Sequence, residues 1–167
     1  FDEISLKIIK KFNLDFIKIP SGEIDNLPLL QEIAKLKKKI ILSTGMSTNS
    51  EIANALRILT KKNFSKKKIT LLQCNTDYPT KFEDVNLYSM LRMQKKFKLD
   101  IGLSDHTIGI EASLAAVSMG AKIIEKHFTI NKKFKGPDHK ASLDPSELKK
   151  LVLSIRNIEK CFGKSKK

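Results

Sequence analysis

Long apolar runs are missing from this sequence. None approaches the ~18 residues that suggest a membrane span, so no membrane partner is expected. Cysteine is scarce: Cys74 and Cys161 are the only two, far apart and outside any CxxC or Cys/His cluster. That argues against a disulfide scaffold or a thiolate zinc site and suits free thiols in a reducing cytoplasm. The chain opens on Phe1 rather than Met, with no basic-then-apolar leader behind it. No secretion signal is therefore expected, and the sequence reads as a piece of a longer protein. Acidic residues are also few, 18 against 32 Lys and Arg, for a net charge of +14. Such a balance can mark a nucleic-acid surface, but aromatics reach only 7% and no recognition motif accompanies the lysines. These cluster at 35–39, 61–68, 95–98, 132–135 and 164–167 and read as solvated helix faces and turns. No nucleic-acid partner is expected; the charge favours anionic small substrates by steering.

What is present is a repeated alternation of apolar runs and helical periodicity. Ile4, Ile8, Ile9 and Phe12 predict a helix over 1–13, with Asn13 as its stop. Strands follow at 15–19, 40–43, 69–74, 101–107 and 121–129, and helices at 28–38, 51–61, 85–97, 109–119 and 145–161. Residues 47–50 offer N-caps, and Asp144-Pro145 starts the last helix. The strand runs are continuous rather than alternating, as in parallel strands covered on both faces. Five consecutive βα units result, whereas a complete (β/α)8 barrel needs eight and typically ~250 residues. A five-stranded doubly wound sheet would also satisfy the count, but no Gly-rich dinucleotide turn follows the first strand. The expected fold is α/β, a (β/α)8 TIM barrel present as about five units.

Polar chemistry sits where the strands stop. The run 101–107, IGLSDHT, ends in Ser104, Asp105, His106 and Thr107, and one unit later Ile123 and Ile124 lead into Glu125, Lys126, His127, Phe128 and Thr129. Ligands of parallel-strand folds bind beyond the carboxyl ends of the strands, where the loops converge. Strand alternation puts Ser104 with His106, and Glu125 with His127 and Thr129, so two imidazoles could share one divalent cation. Each histidine could equally cap its strand by hydrogen bonding, and His139 is a third candidate. Lys18, Ser21, Ser43, Thr44 before Gly45, Thr76 and Ser104 recur at successive strand ends, the donor set that a phosphate or carboxylate needs. Glu23 and Asp138 could position a water, take a proton or hold a sugar hydroxyl. Tyr78, before Pro79, could contact a substrate or cover the rim.

Six ordered motifs, KIPSGE (18–23), ILSTGMS (41–47), LLQCNTDYP (71–79), GLSDHT (102–107), EKHFT (125–129) and GPDHKASL (136–143), closely resemble the N-acetylneuraminate (sialic acid) synthase family. The resemblance implies a barrel followed by a small antifreeze-protein-like domain, with this chain beginning after the third barrel strand. It divides the sequence into a partial barrel domain over 1–163 and a basic tail over 164–167, without the C-terminal domain.

The implied chemistry is a metal-dependent, C–C bond-forming transfer in carbohydrate biosynthesis. Phosphoenolpyruvate condenses with an N-acylated amino sugar such as N-acetylmannosamine, giving a nine-carbon 2-keto acid and phosphate. The resemblance assigns His106 and His127 to Mn²⁺, or to Mg²⁺ or Co²⁺, and Glu23 to the attacking water. Lys18, Ser21, Ser43, Thr76, Tyr78 and Ser104 would hold phosphoenolpyruvate, with Tyr78 and Asp138 also near the sugar. Some members carry Asn at the position of Thr76. GPDHKASL is more similar to sialic and legionaminic acid synthases than to pseudaminic acid synthases. Family members contribute further site residues from earlier strands and from the C-terminal domain across a homodimer, so residues 1–167 alone are expected to be inactive. Two other readings remain open. One is an aldolase using Lys18 or Lys126 as a Schiff-base nucleophile; the other is a non-catalytic anion- or nucleic-acid-binding module.

Overall fold

Strands that are apolar on consecutive residues need cover on both sides, and the architecture supplies it with helices outside and curvature inside. The computed structural model describes residues 2–12, 14–61 and 64–163; Asn13 and the 164–167 tail lie outside them. Five strands, β1 (Phe16–Ile19), β2 (Lys39–Ser43), β3 (Ile69–Cys74), β4 (Asp100–Asp105) and β5 (Ile123–Lys126), alternate with helices α1 (Glu3–Ile9), α2 (Leu27–Lys35), α3 (Asn49–Leu59), α4 (Leu87–Phe97), α5 (Glu111–Ser118) and α6 (Pro145–Cys161). All neighbours are parallel and the order is sequential, β1-β2-β3-β4-β5. The sheet curls into half a barrel.

Alternation along each strand divides the side chains cleanly. Ile17, Ile19, Ile40, Leu42, Ile69 and Leu71 pack with Leu30, Ile33, Ile52, Leu56 and Leu59 of α2 and α3 in the main core. Ile101 and Leu103 continue this layer against Met90, Ala112 and Ala116 of α4 and α5. The opposite face of the sheet carries Lys18, Ser43, Cys74, Ser104 and Glu125 toward the C-terminal ends of the strands. The lysines at 37, 39, 66–68, 95, 96 and 98 are exposed near the turns entering the strands, at the other end of the sheet.

The caps form where the side-chain chemistry predicts them. Thr48 and Glu51 make a capping box for α3, and Asp144 and Glu147 one for α6, with Pro145 in its first turn. Several element ends differ from the periodicity: α2 stops at Lys35 rather than at 38, β4 stops at Asp105 rather than Thr107, and two further elements differ more. The first helix is shorter than 1–13 and buries Leu6, whereas Ile4, Ile8 and Phe12 are 72%, 54% and 61% exposed. It packs on α2 at the margin of the core, so its apolar stripe lies on no sheet. The fifth strand stops at Lys126 rather than Thr129. Beyond it the backbone leaves β4 and pairs with the last loop, Leu143 N–H donating to the His127 carbonyl and Thr129 N–H to that of Leu143.

Gly102 marks a close approach between β4 and β5. A Cβ there would lie 2.3 Å from the Ile123 carbonyl oxygen and 2.6 Å from Leu72 Cδ2. Gly102→Ala should therefore destabilise the full-length protein by about 1–3 kcal/mol, the usual cost of overpacking, measured by denaturant unfolding. Unchanged stability would contradict this closeness.

Candidate active site at the carboxyl ends of the strands

His106 follows the last residue of β4 and is buried. Its Nδ1 lies 2.6 Å from the carbonyl oxygen of Asn75, which leaves β3. A carbonyl only accepts, so Nδ1 carries the proton and Nε2 of the neutral ring holds a lone pair. Ser104 Oγ is 3.5 Å from that Nε2, but its hydroxyl donates to Glu125 Oε1 at 2.6 Å. The lone pair therefore remains available. His127, half-buried, places its ring centroid 5.2 Å from that of His106, nearly perpendicular to it. Tyr78 lies against both, at 4.2 Å from His106 and 5.4 Å from His127. Asp138 Oδ2 is 3.7 Å from His127 Nδ1. The structure thus gathers four residues singled out by the sequence around one point.

A second group adjoins the first through Ser104. Lys18 Nζ is 3.1 Å from Glu125 Oε1, the oxygen that accepts from Ser104, so a carboxylate ties the end of β1 to β4 across the concave face. Glu125 has no role in the motif-by-motif reading, although alternation already places it beside His127. On the neighbouring loops Ser21 Oγ accepts from Gly45 N–H at 2.9 Å, and a Cβ on Gly45 would meet Ser21 Oγ and Thr76 Cγ2 at 2.9 and 3.1 Å. A side chain there would press on both residues. Ser43 Oγ is buried and has no hydrogen-bond partner among the described residues, an omission that costs stability unless a ligand or water supplies the partner.

Other predicted residues sit differently. Glu23 accepts from Asn26 Nδ2 at 2.6 Å, while Asn26 caps α2, so its recorded contact holds the loop. His139 bonds Thr129 Oγ1 at 2.7 Å and meets Phe134 edge-on rather than joining the other two histidines. Lys126 points to the helix side of the sheet, ion-paired with Asp105 at 3.0 Å.

Among the described residues no cluster of three or more His, Cys, Asp or Glu is spaced to hold a metal. His106 and His127 are the pair of imidazoles that could do so, and Cys74 lies on the same face, paired with Ser104. Two imidazoles suit a divalent ion that fills its remaining positions with water and substrate oxygens. Burial, followed by the repulsion of His127, lowers the His106 pKa from its ordinary 6.5, outweighing the Asn75 carbonyl, Asp105 and Glu125. Burial and the neighbouring Cys74, Asp138 and Glu125 raise that of Tyr78, which stays a neutral phenol.

Residues 1–167 match the NeuB family from end to end. The chain belongs to the NeuB family. This NeuB chain is 55% identical over 163 residues to the N,N'-diacetyllegionaminic acid synthase of Campylobacter jejuni, covering 98% of this chain and 49% of that protein. It is 39% identical over 163 residues to human N-acetylneuraminate-9-phosphate synthase, covering 97% and 45%. Among solved structures it superposes with a TM-score of 0.91 on the N-acetylneuraminic acid (sialic acid) synthetase of Leptospira borgpetersenii, 39% identical over 99% of this chain and 57% of that one. The NeuB chain spans about half the length of the relatives it matches.

His106 supplies a pH test. A histidine whose folded pKa lies below its unfolded value binds fewer protons when folded, so stability rises with pH between the two. Its contribution is complete above 6.5 and is lost as pH falls from 6.5 through the lowered folded value. In a ring-resonance NMR titration of the full-length protein without added metal, His106 should titrate below 6.5. Titration at or above 6.5 would contradict the buried, neutral ring.

Proposed function

We propose that this chain forms the anion-holding and cation-holding half of a synthase active site. The reaction condenses phosphoenolpyruvate with an N-acylated amino sugar to a nine-carbon 2-keto acid and phosphate. The observation that carries this reading is the continuity of the mouth: the imidazole pair adjoins the Ser104–Glu125–Lys18 chain on one concave face. Such a mouth would hold an electrophile's oxygen beside a phosphate-bearing nucleophile. The family membership and the names of the relatives support the same reading.

Lys18 has three donors and gives one to Glu125, leaving two for a phosphate or carboxylate oxygen. The orphan Ser43 hydroxyl is a further donor on the same wall, and the Ser21–Gly45–Thr76 corner admits an anion against backbone. Asn75 fixes the His106 tautomer, so Nε2 rather than Nδ1 would be the nitrogen available to hold a cation. A divalent ion held by His106 and His127 would supply Lewis acidity to the sugar aldehyde. Tyr78 and Asp138 border the imidazoles on the open side and would orient the sugar. The enol carbon then forms the new C–C bond with the aldehyde carbon. The aldehyde oxygen takes up a proton to become a hydroxyl. Water adds at the adjacent, phosphate-bearing carbon and passes one proton to Glu23. The bond from that carbon to the phosphate oxygen breaks as the added oxygen becomes the keto carbonyl, its second proton leaving with the phosphate.

Lys126 is withdrawn from the mouth by its buried ion pair, which disfavours it as a Schiff-base nucleophile. The test uses the full-length protein with phosphoenolpyruvate and a panel of acylated hexosamines that includes N-acetylmannosamine. Product and phosphate should form together, cease with a chelator and return with Mn²⁺. His106→Ala and His127→Ala should each lower activity by more than about a hundredfold, beyond the usual loss for a residue that merely supports a ligand. Full activity after chelation, or borohydride trapping of a keto acid on Lys18, would overturn the proposal.

A further inference from the structure

Asp105 and Lys126 belong to neither the anion-holding wall nor the imidazole pair, yet each sits between residues that do. Asp105 separates Ser104 from His106, and Lys126 separates Glu125 from His127. Alternation turns both side chains toward the helices, where they meet across the last paired rung of β4 and β5. Lys126 Nζ lies 3.0 Å from Asp105 Oδ2, with the two side chains 4% and 0% exposed. The network is closed. Asp105 Oδ1 accepts from Thr107 N–H at 2.9 Å and from Thr107 Oγ1 at 2.8 Å, and Oδ2 accepts from Ser113 Oγ of α5 at 2.5 Å. Lys126 also donates to the Thr107 carbonyl at 2.6 Å, with Thr107 Oγ1 at 3.4 Å.

Both histidines lie one residue beyond this rung, where the β4–β5 ladder has ended. Their carbonyls turn to other partners, that of His106 to Thr80 N–H and that of His127 to Leu143 N–H. The last cross-strand reference for the imidazole spacing is thus the Asp105–Lys126 rung, together with the Ser104–Glu125 bond on the rung before it.

We propose that the buried Asp105–Lys126 pair is a positioning device that sets the spacing of His106 and His127 and thereby their affinity for a divalent cation. This rests on the reading of those histidines as ligands. A buried charge pair with its donors and acceptors used has few alternative geometries, since any slip strands a charge in a dry environment. Asp105 and Lys126 touch neither cation nor substrate in this scheme; they act through the residues on either side of them.

The test is a Mn²⁺ titration of the full-length protein followed by electron paramagnetic resonance. Lys126→Met and Asp105→Asn should weaken Mn²⁺ binding about 10–100-fold, the range for supports of metal ligands, and alter the line shape of the bound ion. Leu103→Ala is the control: Leu103 lies on the same strand in the helix-facing core, 1% exposed. It should lower the unfolding temperature and leave Mn²⁺ affinity unchanged. Wild-type affinity in folded Lys126→Met and Asp105→Asn would overturn the inference, as would an equal loss in Leu103→Ala. If Lys126→Met does not fold, the nearly isosteric Asp105→Asn decides. His106→Ala separates the two levels: Mn²⁺ binding undiminished in that variant removes the ligand reading itself, and the positioning role with it.

Discussion

The pairing of β4 with β5 in a single register governs everything at the mouth of this half-barrel. Ser104 stands opposite Glu125 and Asp105 opposite Lys126, so successive rungs send one polar pair to the concave face and the next into the helix layer. Side chains alternate with a period of two, and a slip of one residue would exchange the faces. If β5 slipped, Lys126 would enter the cavity and leave Asp105 buried without it, while Glu125 and His127 turned into the apolar layer formed by Ile101, Leu103 and Ala116. Such an arrangement would bury carboxylate and imidazole without their present partners. The register and the site are therefore one constraint.

Energetically this rung is held by mutual dependence more than by net gain. Two charges taken out of water repay their desolvation only when geometry and further hydrogen bonds are good. Thr107 and Ser113 provide those bonds here. Removing one member leaves the other buried and unpaired, at a typical cost of about 3–5 kcal/mol. Burial acts on Lys126 against the pull of Asp105 and lowers its pKa. On the concave face the Glu125 carboxylate, more exposed at 38%, is more weakly committed.

Much of the fold was legible because it rests on local chemistry. The strand at 69–74, ITLLQC, is mostly apolar and bounded by polar segments, and it forms over those residues; Thr48 and Asp144 cap the helices that follow them. The first helix shows the limit, since Ile4, Ile8 and Phe12 have helical spacing but no surface beneath them in the described residues. Periodicity gives a face, not what covers it. At the site, alternation sufficed to bring His106 and His127 together. The Lys18–Glu125 pair was not legible, because it spans the concave face between β1 and β5 and follows from curvature, which residue spacing does not encode. The contact of Glu23 with Asn26 was hidden for another reason: a short polar loop offers several local partners, and spacing does not choose among them.

His106 and His127 meet at one concave mouth, and as proposed ligands they would hold the same ion. Electron spin echo modulation of Mn²⁺ bound to the full-length protein counts ligating imidazole nitrogens directly. Modulation from two imidazoles is expected, falling to one when either His106 or His127 is replaced by Gln. Modulation from no histidine nitrogen, or a signal unaffected by both replacements, would contradict it.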